Sequence, residues 1–127
     1  MKLHSWNAIG LNSLKKQRLL NKKVKKEQLD MIFLQETKCS SKIMKIISKK
    51  LGKRMDFPEI ESNGMEGGLA ILWNPQVLQL LSSEVASSHI SIEYQMVGNP
   101  DTYLCTNVYC PRKLETKLLM LRSLSNL

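Results

Sequence analysis

The chain has 127 residues, a formal charge of +8, 43% hydrophobic and 24% charged residues, enough for one small domain of ordinary globular composition. No apolar run approaches the ~18 residues of a membrane span, and Met1 to Trp6 lacks the apolar stretch of a secretory signal, so the expected location is the nucleus or cytoplasm, away from any membrane. Cys39, Cys105 and Cys110 are odd in number and lack paired metal spacing, which reads as reduced thiols and excludes a disulfide framework or a zinc site.

The charge is uneven. From Lys15 to Arg54 there are 14 basic residues against Glu27, Asp30 and Glu36, a local excess of eleven positive charges. Such a block suits attraction to a polyanion, with nucleic acid the usual partner. A solvated lysine face without a partner accounts for the charge equally well.

In chain order, Lys2 to Trp6 reads as a strand and Asn7 to Asn12 as a loop containing Gly10. Ser13 is a candidate N-cap for a helix from Leu14 to Lys26, with Leu14, Leu20 and Val24 as its apolar positions. The nearly continuous apolar run Asp30 to Gln35 suits a strand buried on both faces. Ser40 or Ser41 caps a second helix through Leu51, with Ile43, Met44, Ile47 and Leu51 at helical spacing and Gly52 as its terminator. Pro58 makes the 55–61 stretch a poor central strand. Leu69 to Trp73 is apolar and ends at Asn74-Pro75. From His89 to Val97, Ile90, Ile92, Tyr94 and Met96 alternate with Ser91, Glu93 and Gln95, the pattern of a strand with one wet face. Thr102 to Tyr109 follows across a Gly98 to Asp101 turn as its hairpin partner. Leu114, Leu118, Leu121 and Leu124 form a helical stripe. This order predicts an α/β or α+β fold with a mixed sheet.

Three polar residues fall at or just beyond strand ends, where a rigid sheet fixes side chains facing a crevice: Asn7, Glu36 and Tyr109. A carboxylate there suits Mg²⁺, which takes oxygen ligands and keeps several waters. A tyrosine hydroxyl or an asparagine amide can orient a phosphate oxygen. Each residue also has an ordinary reading: Asn7 as a loop residue bonding its own backbone, Glu36 as a solvated carboxylate, Tyr109 as an amphipathic strand end.

Four segments together carry a resemblance. Lys2 to Asn12, Asp30 to Lys38, Gly67 to Trp73 and Asn107 to Pro111 resemble, in order and spacing, four motifs of the endonuclease/exonuclease/phosphatase family. They are similar in particular to those of the apurinic-endonuclease-like domain of plant long-interspersed-element (non-LTR) retrotransposons. The resemblance implies a partial domain over residues 1–127, half of a four-layer αββα sandwich, with one mixed sheet and flanking helices. It implies a metal-dependent phosphodiesterase that nicks DNA. Glu36 would hold Mg²⁺ (or Mn²⁺), Asn7 would support the metal's water shell and the scissile phosphate, and Tyr109 would hydrogen-bond that phosphate. No small-molecule cofactor is implied. Lys15, Lys16, Lys22, Lys23, Lys25, Lys26 and Lys38 are the candidate contacts to DNA. Ile9 and Glu66 depart from the retroelement pattern, which favours a basic residue at the first and a small or basic one at the second. The family's later Gly-Asp-x-Asn segment and Asp-His pair find no match, and His4 and His89 stand in other contexts. The expectation is a truncated, catalytically silent half-domain awaiting a complementing C-terminal half, with the inner face of its sheet uncovered and its stability marginal. Alternative readings are a non-catalytic basic nucleic-acid-binding fragment, a relic without function, and a phosphodiesterase acting on a phosphorylated lipid or inositol.

Overall fold

Strand β1 (Leu3–Asn7) leads into helix α1 (Leu14–Glu27). In a computed structural model, which describes residues 1–51, 55, 60–62, 68–86 and 88–109, the helix starts as its sequence dictates. Ser13 Oγ accepts the Lys16 N–H at 3.2 Å, relieving one of the helix's orphan donors. At the other end Gln28 turns left-handed (φ 51°) and donates its N–H to Val24 O. Leu20 and Val24 are buried, whereas Leu14 is 58% exposed. At 3.6 residues per turn, Leu14 lies about 80–120° around the helix from the other two, so it misses the core.

Strand β2 (Met31–Gln35) is buried from Met31 to Leu34, as expected of a strand covered on both faces. Helix α2 (Ser41–Lys50) is capped by Ser40, whose Oγ accepts the Ile43 N–H, and it buries Met44 and Ile47. Five strands follow: β3 (Ile60–Ser62), β4 (Leu69–Trp73), β5 (Leu78–Val85), β6 (His89–Met96) and β7 (Thr102–Val108). Gly52, Pro58, Glu66, Gly67, Cys110, Pro111 and the leucine stripe from Leu114 to Leu124 lie outside the described residues.

The fold class is the expected mixed α+β half-sandwich, but the strands divide between two sheets where one was expected. The first has the order β1-β2-β4-β3, with β1 parallel to β2 and the other pairs antiparallel. The second is the antiparallel sheet β5-β6-β7. Strand β5 has no clear sequence pattern. Its Leu80-Leu81-Ser82-Ser83 run breaks alternation because Leu81 is skipped in the pairing with β6, Leu80 facing Tyr94 and Ser82 facing Glu93. Leu81 is left 43% exposed, as a residue expelled from the ladder at a bulge would be.

The second sheet corrects the expectation of an uncovered inner face. Strands β6 and β7 lie against β2 and β4. Ile71, Leu72, Ile90 and Ile92 are fully buried in one continuous core shared with α1 and α2. Ser91, expected on the wet face of β6, is also buried; its hydroxyl is 2.9 Å from that of its cross-strand partner Thr106. The pair meets its polar needs internally.

Candidate functional site

The site begins where the parallel strands β1 and β2 end side by side, Asn7 opposite Gln35. Beyond them the two loops run together, tied by Ala8 N–H to Gln35 O (2.9 Å), Gly10 N–H to Glu36 O (2.7 Å) and Leu11 N–H to Thr37 O (2.8 Å). Both loops use left-handed backbone. Gly10 (φ 92°) adopts it freely, but Ile9 (φ 48°), Glu36 (φ 51°) and Lys38 (φ 53°) do so against a steric cost of about 1–2 kcal/mol each. Strained non-glycine residues persist only where surrounding bonds over-determine them, and they cluster at functional sites.

The turn at Glu36 brings its carboxylate to strand β7. Tyr109 Oη, from just beyond the end of β7, donates to Glu36 Oε1 at 3.3 Å. Tyr109 is buried to 8% exposure, and its N–H donates to Ser88 O. A cleft of about 330 Å³ opens between the sheets beside this contact, lined among others by Ser5, Asn7, Phe33, Gln35, Asn107 and Tyr109. The three strand-end residues singled out in the sequence thus gather at one end of the fold: Asn7 and Tyr109 line one cleft, and Glu36 is bonded to Tyr109. Asn7 Oδ1 also accepts the Ile9 N–H at 3.2 Å, the local loop bond of its ordinary reading.

The residues that hold this geometry escaped the sequence reading. Asn107, 1% exposed on β7, donates through Nδ2 to Leu34 O at 3.1 Å and to Ala70 O at 3.0 Å. Those carbonyls belong to paired residues of β2 and β4. Its Oδ1 accepts from Gln35 Nε2 at 2.7 Å, and the same Nε2 reaches Ser5 Oγ at 2.9 Å. One buried amide therefore links β7 to β2 and β4, and through Gln35 to β1. The available signal was the position of Gln35 and Asn107, one and two residues before Glu36 and Tyr109 on otherwise apolar or alternating strands.

The lysines separate into distinct environments. Lys15, Lys22, Lys25 and Lys26 are exposed on α1, and Lys23 is half-buried. Lys16 folds back on the β1–α1 loop, its Nζ donating to Ala8 O and Ile9 O at 2.6 Å each. Its charge fixes the loop that carries Ile9. Lys38 is exposed beside Glu36, its stem running past Gly10. None of the α1 lysines lines the cleft.

Among the described residues no group of three or more His, Cys, Asp or Glu gathers. The polar groups at the site are oxygens and amides around a single carboxylate. That donor set disfavours zinc, which wants three or four nitrogen or sulfur ligands. It fits Mg²⁺, which is commonly held by one or two carboxylates and retains waters.

No family model matches the chain, and no curated protein matches it. Solved structures do. They include an endonuclease/exonuclease/phosphatase family protein from Bacteroides thetaiotaomicron (TM-score 0.69, 12% identity, 96% of this chain and 57% of that one). D. rerio TDP2 complexed with single-strand DNA product matches with TM-score 0.65 and 16% identity, over 96% of this chain and 52% of that one. The Xenopus laevis APE2 catalytic domain matches with TM-score 0.55 and 20% identity, over 96% and 50%. The fold is therefore that of endonuclease/exonuclease/phosphatase proteins, and the chain spans about half the length of these structures.

Proposed function

We propose that the cleft end formed by Asn7, Glu36 and Tyr109 is one half of a metal-dependent phosphodiesterase site for DNA, of retrotransposon type, and that residues 1–127 do not complete it. The observation that carries this reading is the Tyr109–Glu36 hydrogen bond across the two sheets, at the mouth of the cleft that holds Asn7. Glu36 is the carboxylate that would hold Mg²⁺ or Mn²⁺, with Asn7 beside it. When bound, the ion would supply charge stabilisation for phosphate oxygens. The chain's own residues do the rest of what half a site can do. The Tyr109 hydroxyl donates a hydrogen bond and, turned from Glu36, would donate to a phosphate oxygen. The Asn7 amide would orient the same group. Neither histidine is among the residues lining the cleft: His89 is buried at the start of β6, and His4 lies in β1. The fold likeness to a protein solved in complex with single-strand DNA product supports DNA as the substrate class. In the same reading, residues 1–127 form a partial domain, and a complementing half would bring the groups that activate water.

The test pairs binding with turnover. Mn²⁺ binding followed by electron paramagnetic resonance is expected to be weak and lost in Glu36→Ala. Plasmid nicking with Mg²⁺, beside the same variant and a chelator, is expected to be absent. Nicking that needs both metal and Glu36 would overturn the incompleteness of the site. Metal binding indifferent to Glu36 would overturn the site itself.

A second reading, a basic nucleic-acid-binding module without catalysis, is favoured by the exposed lysines of α1, none of which lines the cleft.

A further inference from the structure

Alternation along β1 gives the strand two different faces. Ser5 and Asn7 turn to the cleft, so His4 and Trp6 turn to the other side. There the Trp6 indole, partly buried against the core, forms the floor of a second groove of about 360 Å³ between β1 and α1. Its walls are Leu19 and Leu20 and the lysines Lys22, Lys23 and Lys26, with Glu27 the one acidic residue among the lining groups. Leu19 is 52% exposed. The lysines follow from helix spacing: residues 19, 22, 23 and 26 recur at three and four, which puts them on one stripe of α1. That stripe lies beside the one formed by Leu20 and Val24, so its apolar member and the lysine stems border the core while the ammonium groups reach outward.

An indole beside three ammonium groups is the combination with which proteins hold single-stranded nucleic acid: a base stacks on the aromatic face and the cations track the phosphates. Duplex DNA presents its phosphates but keeps its bases stacked inside, so it could use the lysines and not the indole. The volume falls within the ~300–1,000 Å³ of clefts that enclose small ligands, room for a base and its phosphate. The groove also carries net positive charge, against the lone carboxylate Glu36 at the other site.

We infer that the Trp6–Lys22–Lys23–Lys26 groove binds single-stranded nucleic acid, one base on the indole and flanking phosphates on the lysines. The inference rests on the nucleic-acid reading of the basic block for the class of partner, and it is independent of Glu36.

The test uses the intact 127-residue chain and a short fluorescein-labelled oligo(dT), with affinity read by anisotropy of the label and stacking read by tryptophan fluorescence. Trp73 is buried at 9% exposure, so quenching on binding should come from Trp6 and vanish in Trp6→Phe. Trp6→Leu, which keeps the groove apolar, should weaken binding about 5- to 140-fold, the range of losing one base–aromatic stack. Lys22→Gln with Lys23→Gln and Lys26→Gln should lower the slope of log affinity against log salt by about 2, from three phosphate contacts at ~0.7 each. Lys42→Gln with Lys45→Gln and Lys49→Gln on α2 is the charge-matched control and should leave the quenching intact. Circular dichroism confirms folding of each variant. Binding that tolerates Trp6→Leu and responds alike to both lysine sets would refute the groove while leaving a basic nucleic-acid-binding surface. Equal affinity for a duplex of the same length, without quenching, would also refute it. No salt-dependent binding at all would refute both the groove and the module reading.

Discussion

Replacing Asn107 with leucine tests the idea that one buried amide fixes the two sheets against each other. The two side chains share the same branched skeleton, leucine being the bulkier, so the change removes hydrogen bonds without opening a cavity. Two carbonyls, Leu34 O and Ala70 O, lose the donors they hold at 3.1 and 3.0 Å, and Gln35 loses its acceptor at 2.7 Å while keeping Ser5. Both carbonyls stand on strands that pair with each other, so what is lost is a hydrogen bond accepted beside the ladder; at about 0.5–1.5 kcal/mol each, the two predict a loss of about 1–3 kcal/mol. The whole net stability of a domain is only ~5–15 kcal/mol. With a urea slope of ~2 kcal/mol per molar, typical of small domains, the unfolding midpoint should fall by about 0.5–1.5 M. Circular dichroism measures that midpoint. A shift below ~0.5 kcal/mol, the scale of an ordinary surface substitution, would refute the reasoning, because it would mean that the carbonyls find other partners and that apolar packing alone joins the sheets. The same variant should also weaken Mn²⁺ binding at Glu36 under conditions where it is fully folded, since Tyr109 is placed by the strand that Asn107 anchors.

Two more outcomes follow from strain and burial. Ile9→Gly should raise stability by about 0.5–1 kcal/mol, because Ile9 is held at φ 48° yet is 61% exposed, so relief of a ~1–2 kcal/mol left-handed strain outweighs the entropy cost of glycine; an unchanged or lower melting temperature would contradict the strain. The Tyr94 phenol is pushed up to about 12, first by burial and then by its contact with the Cys105 thiol. A folded-state value above the unfolded ~10 means that the folded chain holds the extra proton, so stability should fall as pH rises from about 10 through about 12. Tyr94→Phe should flatten that part of the pH profile, and denaturation midpoints on either side of the window decide it.

The parts of the fold legible in the sequence were those governed by local chemistry. Ser13 and Ser40 cap helices because their hydroxyls can reach the backbone N–H three residues on. Met31 to Leu34 reads as a doubly buried strand because nothing in it needs water. Strand β6 reads as a strand by alternation. The illegible parts depended on partners distant in sequence. Leu78 to Val85 becomes a strand through pairing with β6 around a bulge, and a bulge erases the period that would announce it. The division into two sheets is equally non-local. Nothing in Ile90 or Ile92 says whether solvent or a second sheet covers them. The candidate site shows the same contrast. Asn7, Glu36 and Tyr109 stand out because strand-end polar residues are noticeable one at a time. Asn107 does not, because its role is defined by carbonyls 37 and 73 residues away. Lys16 was grouped with the charge block, but its two bonds to the β1–α1 loop are visible only once the helix folds back on that loop.

The site's placement has a consequence for how stability and function are coupled in this chain. Glu36 and Tyr109 belong to different sheets and are 73 residues apart, and the bond between them is a single neutral-to-carboxylate contact at 3.3 Å. Such a bond contributes too little to hold two sheets together, since even one involving a charged group adds only ~1.5–3 kcal/mol. The direction of causation therefore runs from core to site. Apolar burial of Ile71, Leu72, Ile90 and Ile92, together with the Asn107 amide, docks the sheets, and the docking delivers Tyr109 to Glu36. Glu36→Gln should accordingly leave the fold almost unchanged while altering what the cleft binds, whereas loosening the sheet-to-sheet contact at Asn107 should disturb both. If Glu36→Gln destabilised the chain as much as Asn107→Leu, the carboxylate would be part of the structural frame, and its assignment to a metal would lose its support.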